Sequence, residues 1–227
     1  MLIESHRHTA ADIALWREYE AADAAHSVRT ARVDEAVAAI RSFGGDYVGC
    51  SWGKDSVTLL HILELSGCRL PVVWVRMRGR DNPDCESVRD AALARWPIDY
   101  HERVFRYEDC PRDEHWRSVD TEFGERRITG LRMDESLTRR MSVLHLGIAT
   151  RRSCRPLAMW DGSDIYSWCH HHGLPLHPAY AMLGGGRWDR RYLRTHGIGG
   201  RSGTDRGRGE WEREYYGDVL AMQASQK

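Results

Sequence analysis

The stretch "DYVGCSWGKDSVTLLHILELSG", residues 46–67, constrains the fold more than any other part of the chain. A short strand-forming run ends at Cys50, a turn of Ser51, Trp52, Gly53 and Lys54 follows, and an apolar helical pattern then runs to Gly67. At such a turn the first amides of the helix point outward unsatisfied, the helix dipole favours an anion, and glycine lets a phosphate approach the main chain. Lys54 adds a charge, and Ser51 and Ser56 add hydroxyls. The segment therefore predicts a phosphate cradle between a strand and a helix.

The same alternation continues along the chain. "LPVVWVRM" reads as a second strand, Asn82 and Pro83 as an N-cap and first turn opening a helix to Arg95, and "DYHERVF" and "RRITGLR" as two more strands. Upstream, Ile13, Trp16 and Tyr19, then Val33, Val37 and Ile40, recur at helical spacing, so the chain up to about Phe43 reads as helix, stopped by Gly44-Gly45. Downstream, a helix over 163–172 closed by Gly173 is expected. Residues 197–209 hold six glycines and three arginines with hardly any apolar side chain and read as a mobile loop. Strands alternating with helices imply βαβ units, a mostly parallel sheet covered on both faces, and ligands at the carboxyl ends of the strands. The expected organisation is a helical segment 1–44, a nucleotide-binding α/β domain 45–180 and an extension 181–227.

Composition narrows the function classes. The 227 residues hold 33 basic and 33 acidic side chains, so no global field draws the molecule to a polyanion, and any such site is local. No apolar run reaches the length of a bilayer span, and "MLIESHRHTA" lacks the apolar core of a signal peptide, which predicts a cytoplasmic protein with no membrane partner. The six cysteines form no C-x-x-C pair, against a zinc ribbon or an iron–sulfur cluster. His170-His171-His172 sit on different faces of one helix, a poor arrangement for one metal ion.

The loop is not a Walker A motif: that pattern, ending at Gly53-Lys54, needs glycine where Val48 stands and Ser or Thr where Asp55 stands. A second constellation, "ITGLRMDESLTRR", gathers Arg132, Asp134, Glu135, Ser136, Arg139 and Arg140 at another strand-to-helix junction. If the two lie together, Arg132 and a later arginine face a triphosphate, while Asp134 or Glu135 either holds a magnesium ion or caps the helix.

Together these stretches resemble the adenine-nucleotide α-hydrolase superfamily, and within it the PP-loop ATP pyrophosphatases and the phosphoadenylyl-sulfate (PAPS) reductase family. The family loop S-G-G-K-D-S is matched by Ser51, Gly53, Lys54, Asp55 and Ser56, with Trp52 in place of the first glycine; G-x-R-x-x-E-S-x-x-R is matched by Gly130, Arg132, Glu135, Ser136 and Arg139. Residues 155–166 and 173–180 resemble its RPL-x-x-W…D-[VI]-[WY] and GLP-x-HP-x-Y stretches. The resemblance implies a five-stranded, three-layer Rossmann-like sheet of the HUP type and an ATP substrate cleaved between its α and β phosphates. It also implies Mg²⁺, with Asp55 as a ligand, and adenine near Trp74. Lys54, Asp55 and Arg132 are then the catalytic residues.

The resemblance breaks at the tail, where PAPS reductases carry E-C-G-L-H; here no cysteine follows Cys169. That points away from sulfonucleotide reduction and toward ATP pyrophosphatases that work with a cysteine desulfurase or another sulfur donor, including those of DNA phosphorothioation, with DNA or tRNA as acceptor and a homodimer compatible with the pattern. A small-metabolite enzyme, a PAPS-type oxidoreductase and a non-catalytic nucleotide-binding subunit, hinted at by Trp52, are the rival readings. Cys154, between arginines, is the first candidate for a persulfide carrier, ahead of Cys85 and Cys50. Arg187, Arg190, Arg191 and Arg194, with Trp188, Tyr192 and Trp211 interleaved, are the candidate contact to a phosphate backbone.

Overall fold

The computed structural model describes residues 1–106, 114–191, 193–195, 197–199 and 207–225. Five parallel strands, β1 (Tyr47–Cys50), β2 (Val72–Arg78), β3 (Tyr100–Arg106), β4 (Arg127–Thr129) and β5 (Ser153–Cys154), form one sheet in the order β3-β2-β1-β4-β5. This is the three-layer, Rossmann-like α/β architecture that the alternating pattern implies.

Each strand segment obeys the alternation of the pleat. Val48, Cys50, Val72, Trp74, Ile128 and Cys154 belong to one large core with α2 (Thr30–Phe43), α3 (Lys54–Ser66), α4 (Cys85–Arg95) and α7 (Gly162–His171). Tyr47 and Val73 point the other way, into a smaller core with Val119, Trp116 and Phe123 of α5 (Glu114–Phe123). From β1 the chain builds outward through β2 to β3, then crosses over through α5 to lay β4 on the free side of β1. The switch point therefore falls between β1 and β4. That is where the two sequence motifs end.

Several boundaries differ from the sequence reading. The N-terminal helical stretch is two helices, α1 (Ala10–Ala25), whose Thr9 and Asp12 form a capping box, and α2. Asn82 does not open α4: its side-chain oxygen accepts the Asp84 N–H at 3.1 Å, an Asx turn that delays the helix to Cys85. α7 starts at Gly162 because Asp161 accepts the Ser163 and Asp164 amides. α6 (Leu137–Leu146) is preceded by a 3₁₀ turn at Met133–Glu135, and Ser136 is its cap. Gly44 and Gly67 do end their helices, both left-handed, at φ +60° and +71°.

The loop expected over 197–209 lies partly outside the described residues, but its end is helical: α8 (Arg208–Tyr215) precedes α9 (Gly217–Ser225). Trp211 and Tyr215, four apart, place one face of α8 in the large core. Trp188 and Trp211 are buried and Arg190 pairs with Asp23 at 2.5 Å inside the fold, so none of these three offers an open surface to a nucleic acid. Tyr192 lies outside the described residues. The three segments expected from the sequence share one core, which takes in Trp16, Val48 and Tyr216 alike.

His177 gives this core a pH dependence. Its ring is wholly buried, Nδ1 accepts the Ala179 N–H at 3.1 Å, and Nε2 has no partner among the described residues. Burial, then Arg208 and His8, pull its pKa down to about 3, so the fold holds it neutral while the unfolded chain protonates below the ordinary histidine value of 6.5. Its stabilising contribution is complete above that pH and is lost as pH falls from 6.5 toward 3, at ~1.4 kcal/mol per pH unit. Urea midpoints at stepped pH are expected to fall across this window, and His177→Asn, which keeps an acceptor for Ala179, to flatten that fall.

Candidate functional site

The loop after β1 and the loop after β4 meet at the switch point. Ser51 N–H donates to Ser56 Oγ at 3.1 Å, and the Ser51 and Ser56 hydroxyls lie 3.1 Å apart, so the turn is pinned by its own serines. Gly53 starts α3, and a side chain there would press on Thr195 Oγ1 at 3.0 Å and the Tyr180 hydroxyl at 3.1 Å. Gly130 is fixed more strictly: a Cβ would stand 2.8 Å from the Asp55 carbonyl oxygen. Glycine at 130 is thus what lets the two loops touch.

Lys54 and Arg132, both buried, meet on the partly buried Asp55. Asp55 accepts from Lys54 Nζ at 3.0 Å and from Arg132 Nε at 2.5 Å, and Arg132 Nη1 donates to Asp134 at 2.5 Å. Lys54 is 3% exposed and Arg132 2%. Burial alone would raise the Asp55 carboxyl, but Lys54 and Arg132 hold it below its ordinary value. Burial would likewise lower Lys54 and Arg132; Asp55 is the foremost of the groups that hold both above theirs. All three are therefore charged in the folded protein.

Two tyrosines complete the surroundings of Lys54. Its ammonium stands 5.0 Å from the Tyr180 ring centre and 5.7 Å from that of Tyr166, within cation–π range. Its backbone N–H donates to the Tyr180 hydroxyl at 3.1 Å. Both tyrosines lie in the downstream stretches that carry the family resemblance; Thr195 had no sequence signal.

The remaining expected residues fall elsewhere. Trp52 is fully buried with a left-handed φ of +58°, its ring 6.1 Å from Trp74 and 5.6 Å from Tyr100. Trp74 is therefore covered by Trp52, with Arg76 4.6 Å from its ring centre, and is a core residue rather than an open platform for adenine. Glu135 accepts the Arg132 N–H at 3.1 Å and pairs with Arg139, so these two brace the turn rather than face Asp55. Asp134 bridges Arg132 to the Gly162 amide of α7. The magnesium role expected of Asp55 does not fit the site as it stands: both carboxylate oxygens are engaged by cations, Asp134 and Glu135 are engaged as well, and no cluster of three metal-ligating side chains occurs among the described residues.

The cysteine expectations fail for a common reason. Cys154 is an inward residue of β5, and burial pushes its thiol up to about 11 despite the flanking arginines; burial pushes Cys50 up to about 12 and raises Cys85 as well. Cys110 lies outside the described residues. Alkylation of the native protein with iodoacetamide, read by peptide mass mapping, is expected to modify the partly exposed Cys68 first and Cys50, Cys85, Cys154 and Cys169 only after denaturant is added.

Fold and site together define a doubly wound α/β protein whose loop, lysine and arginine converge at the topological switch point. No protein-family model matches the chain, and no match was found among curated proteins. Among solved structures the chain is similar to Candida glabrata FMN adenylyltransferase in complex with FAD and inorganic pyrophosphate, at 13% identity over 75% of this chain and 67% of that one, with a TM-score of 0.49. A likeness of that degree carries no argument about activity.

Proposed function

We propose that the chain is an ATP pyrophosphatase, cleaving ATP to AMP and pyrophosphate to adenylylate an acceptor for sulfur transfer. The observation that carries this reading is the meeting of the Ser51–Ser56 loop with Gly130 and Arg132 at the switch point, where sheets of this order bind ligands. An acceptor oxygen or nitrogen attacks the α-phosphorus, the α–β bridging oxygen leaves with pyrophosphate, and Lys54 and Arg132 offset the charge that develops. Asp55 holds both cations in place before the nucleotide arrives. A magnesium ion, in this reading, enters on the phosphates as part of the substrate. With Cys50, Cys85, Cys154 and Cys169 all buried, a separate donor such as a cysteine desulfurase brings the sulfur, while a nucleic-acid acceptor rests on the resemblance of the sequence motifs alone.

One observation favours a second reading, a nucleotide-binding subunit without turnover. The Lys54 amide is already engaged by Tyr180, and the lysine itself is covered. Incubation with ATP labelled at the α-phosphate, with and without DNA, tRNA and small acceptors, separates the two. AMP with pyrophosphate supports the first, ADP with phosphate refutes the α–β assignment, and tight binding without any product supports the second.

A further inference from the structure

Among the described residues, nothing covers the outer face of α6. Leu137, Met141 and Leu144 recur at i, i+4 and i+7, the spacing of a helix seam, and are 75%, 57% and 65% exposed. Val143, on the other side, is the buried residue of the helix. Single exposed apolar side chains are ordinary on a protein surface, but three in register on one helix are not. Arg140 stands within the same stripe, three residues after Leu137 and four before Leu144, exposed and with no carboxylate partner among the described residues.

The helix and the segment that follows it are basic in sequence. Residues 136–160 contain no aspartate or glutamate and carry Arg139, Arg140, Arg151, Arg152 and Arg155. Arg139 pairs with Glu135, Arg152 with Glu125, and Arg155 donates to Ser142 Oγ. Arg140 and Arg151 are left facing solvent.

We propose that this face of α6 docks an acidic amphipathic helix of a partner protein, which lays its apolar stripe along Leu137, Met141 and Leu144 and sets a carboxylate against Arg140. Charge selects this occupant. A second copy, paired antiparallel about the middle of the stripe, would bring Arg140 against its own mate in a desolvated seam. An anionic bilayer would have to take Arg140 down with the leucines, whereas interfacial helices keep their cations on the opposite face. A nucleic-acid backbone would meet the arginines and leave the leucines and Met141 in water. An acidic helix satisfies both sets of groups. Because Glu135 and Arg139 join α6 to the turn that presents Arg132, such a partner is seated beside the switch point. The inference rests on α6 alone and stands whichever phosphate bond is cleaved.

The test uses the full chain and a fluorescent helical peptide with leucine at i, i+4 and i+7 flanked by glutamates, read by anisotropy at moderate salt. Binding is expected to exceed that of a scrambled peptide of the same composition by roughly tenfold or more. Arg140→Glu is expected to weaken it by about as much and to gain affinity for the same peptide carrying lysines in place of glutamates; Leu144→Asp is expected to remove binding. Circular dichroism of each variant should match wild type, since both side chains lie on the surface. Equal binding of ordered and scrambled peptides overturns the proposal. So does capture by phosphatidylglycerol vesicles that Leu144→Asp abolishes, or a concentration-dependent dimer that the same variant dissolves.

Discussion

Lys54→Met is expected to lower the turnover of ATP to AMP and pyrophosphate by ~10²–10³, the loss typical when one preorganised charge on a developing anion is removed. Methionine is chosen because the site between Tyr166 and Tyr180 is apolar and nearly closed, so the stem of the lysine is replaced while its charge is not. Asp55 keeps Arg132 as a partner, so the carboxylate is not left as a lone buried charge, and a melting curve should show the variant folded. Turnover equal to wild type would remove Lys54 from the chemistry.

Trp52 carries the largest expected effect on stability. Its indole is wholly buried in the large core, edge-on to Trp74 and beside Tyr100, so Trp52→Ala should cost ~3–5 kcal/mol in a urea melt. The backbone there is left-handed, at φ +58°, which strains every residue but glycine. Trp52→Gly should therefore be more stable than Trp52→Ala by about 1 kcal/mol, the reverse of the usual order. If alanine proves the more stable of the two, the loop has another backbone conformation than the one described.

The same residue shows what the sequence could and could not convey. Bulk at position 52 reads as an obstruction to phosphates when only the loop is in view. The left-handed backbone turns the ring away from the loop mouth and into the core, where it packs on Tyr100. A chain of letters does not carry φ. Cys154 repeats the lesson: the N–H and the charge of Arg155 do pull its thiol down, but the burial of the sulfur, which a chain of letters does not carry, outweighs them. By contrast β1, α3 and β2 were legible because apolar periodicity and the Gly67 stop act locally. α5 left little trace, since its inner face consists of only a few residues such as Val119 and Trp116. The convergence of Lys54, Asp55 and Arg132 was legible through motif order; the part played by Tyr180 depended on tertiary contact.

That contact has a bearing on how the protein comes into being. The amide of Lys54 meets its tyrosine partner 126 residues further along the chain, and Asp12 is held by Tyr215 across 203. At translation rates of ~5–20 residues per second, on the order of ten seconds separate the emergence of the loop from that of its tyrosine. A nascent chain halted before residue 180 carries the Lys54 amide without the tyrosine hydroxyl that accepts from it. Under the proposed function, the site is assembled only once residue 180 has been made, and a chain halted before it lacks the contact that fixes the start of α3.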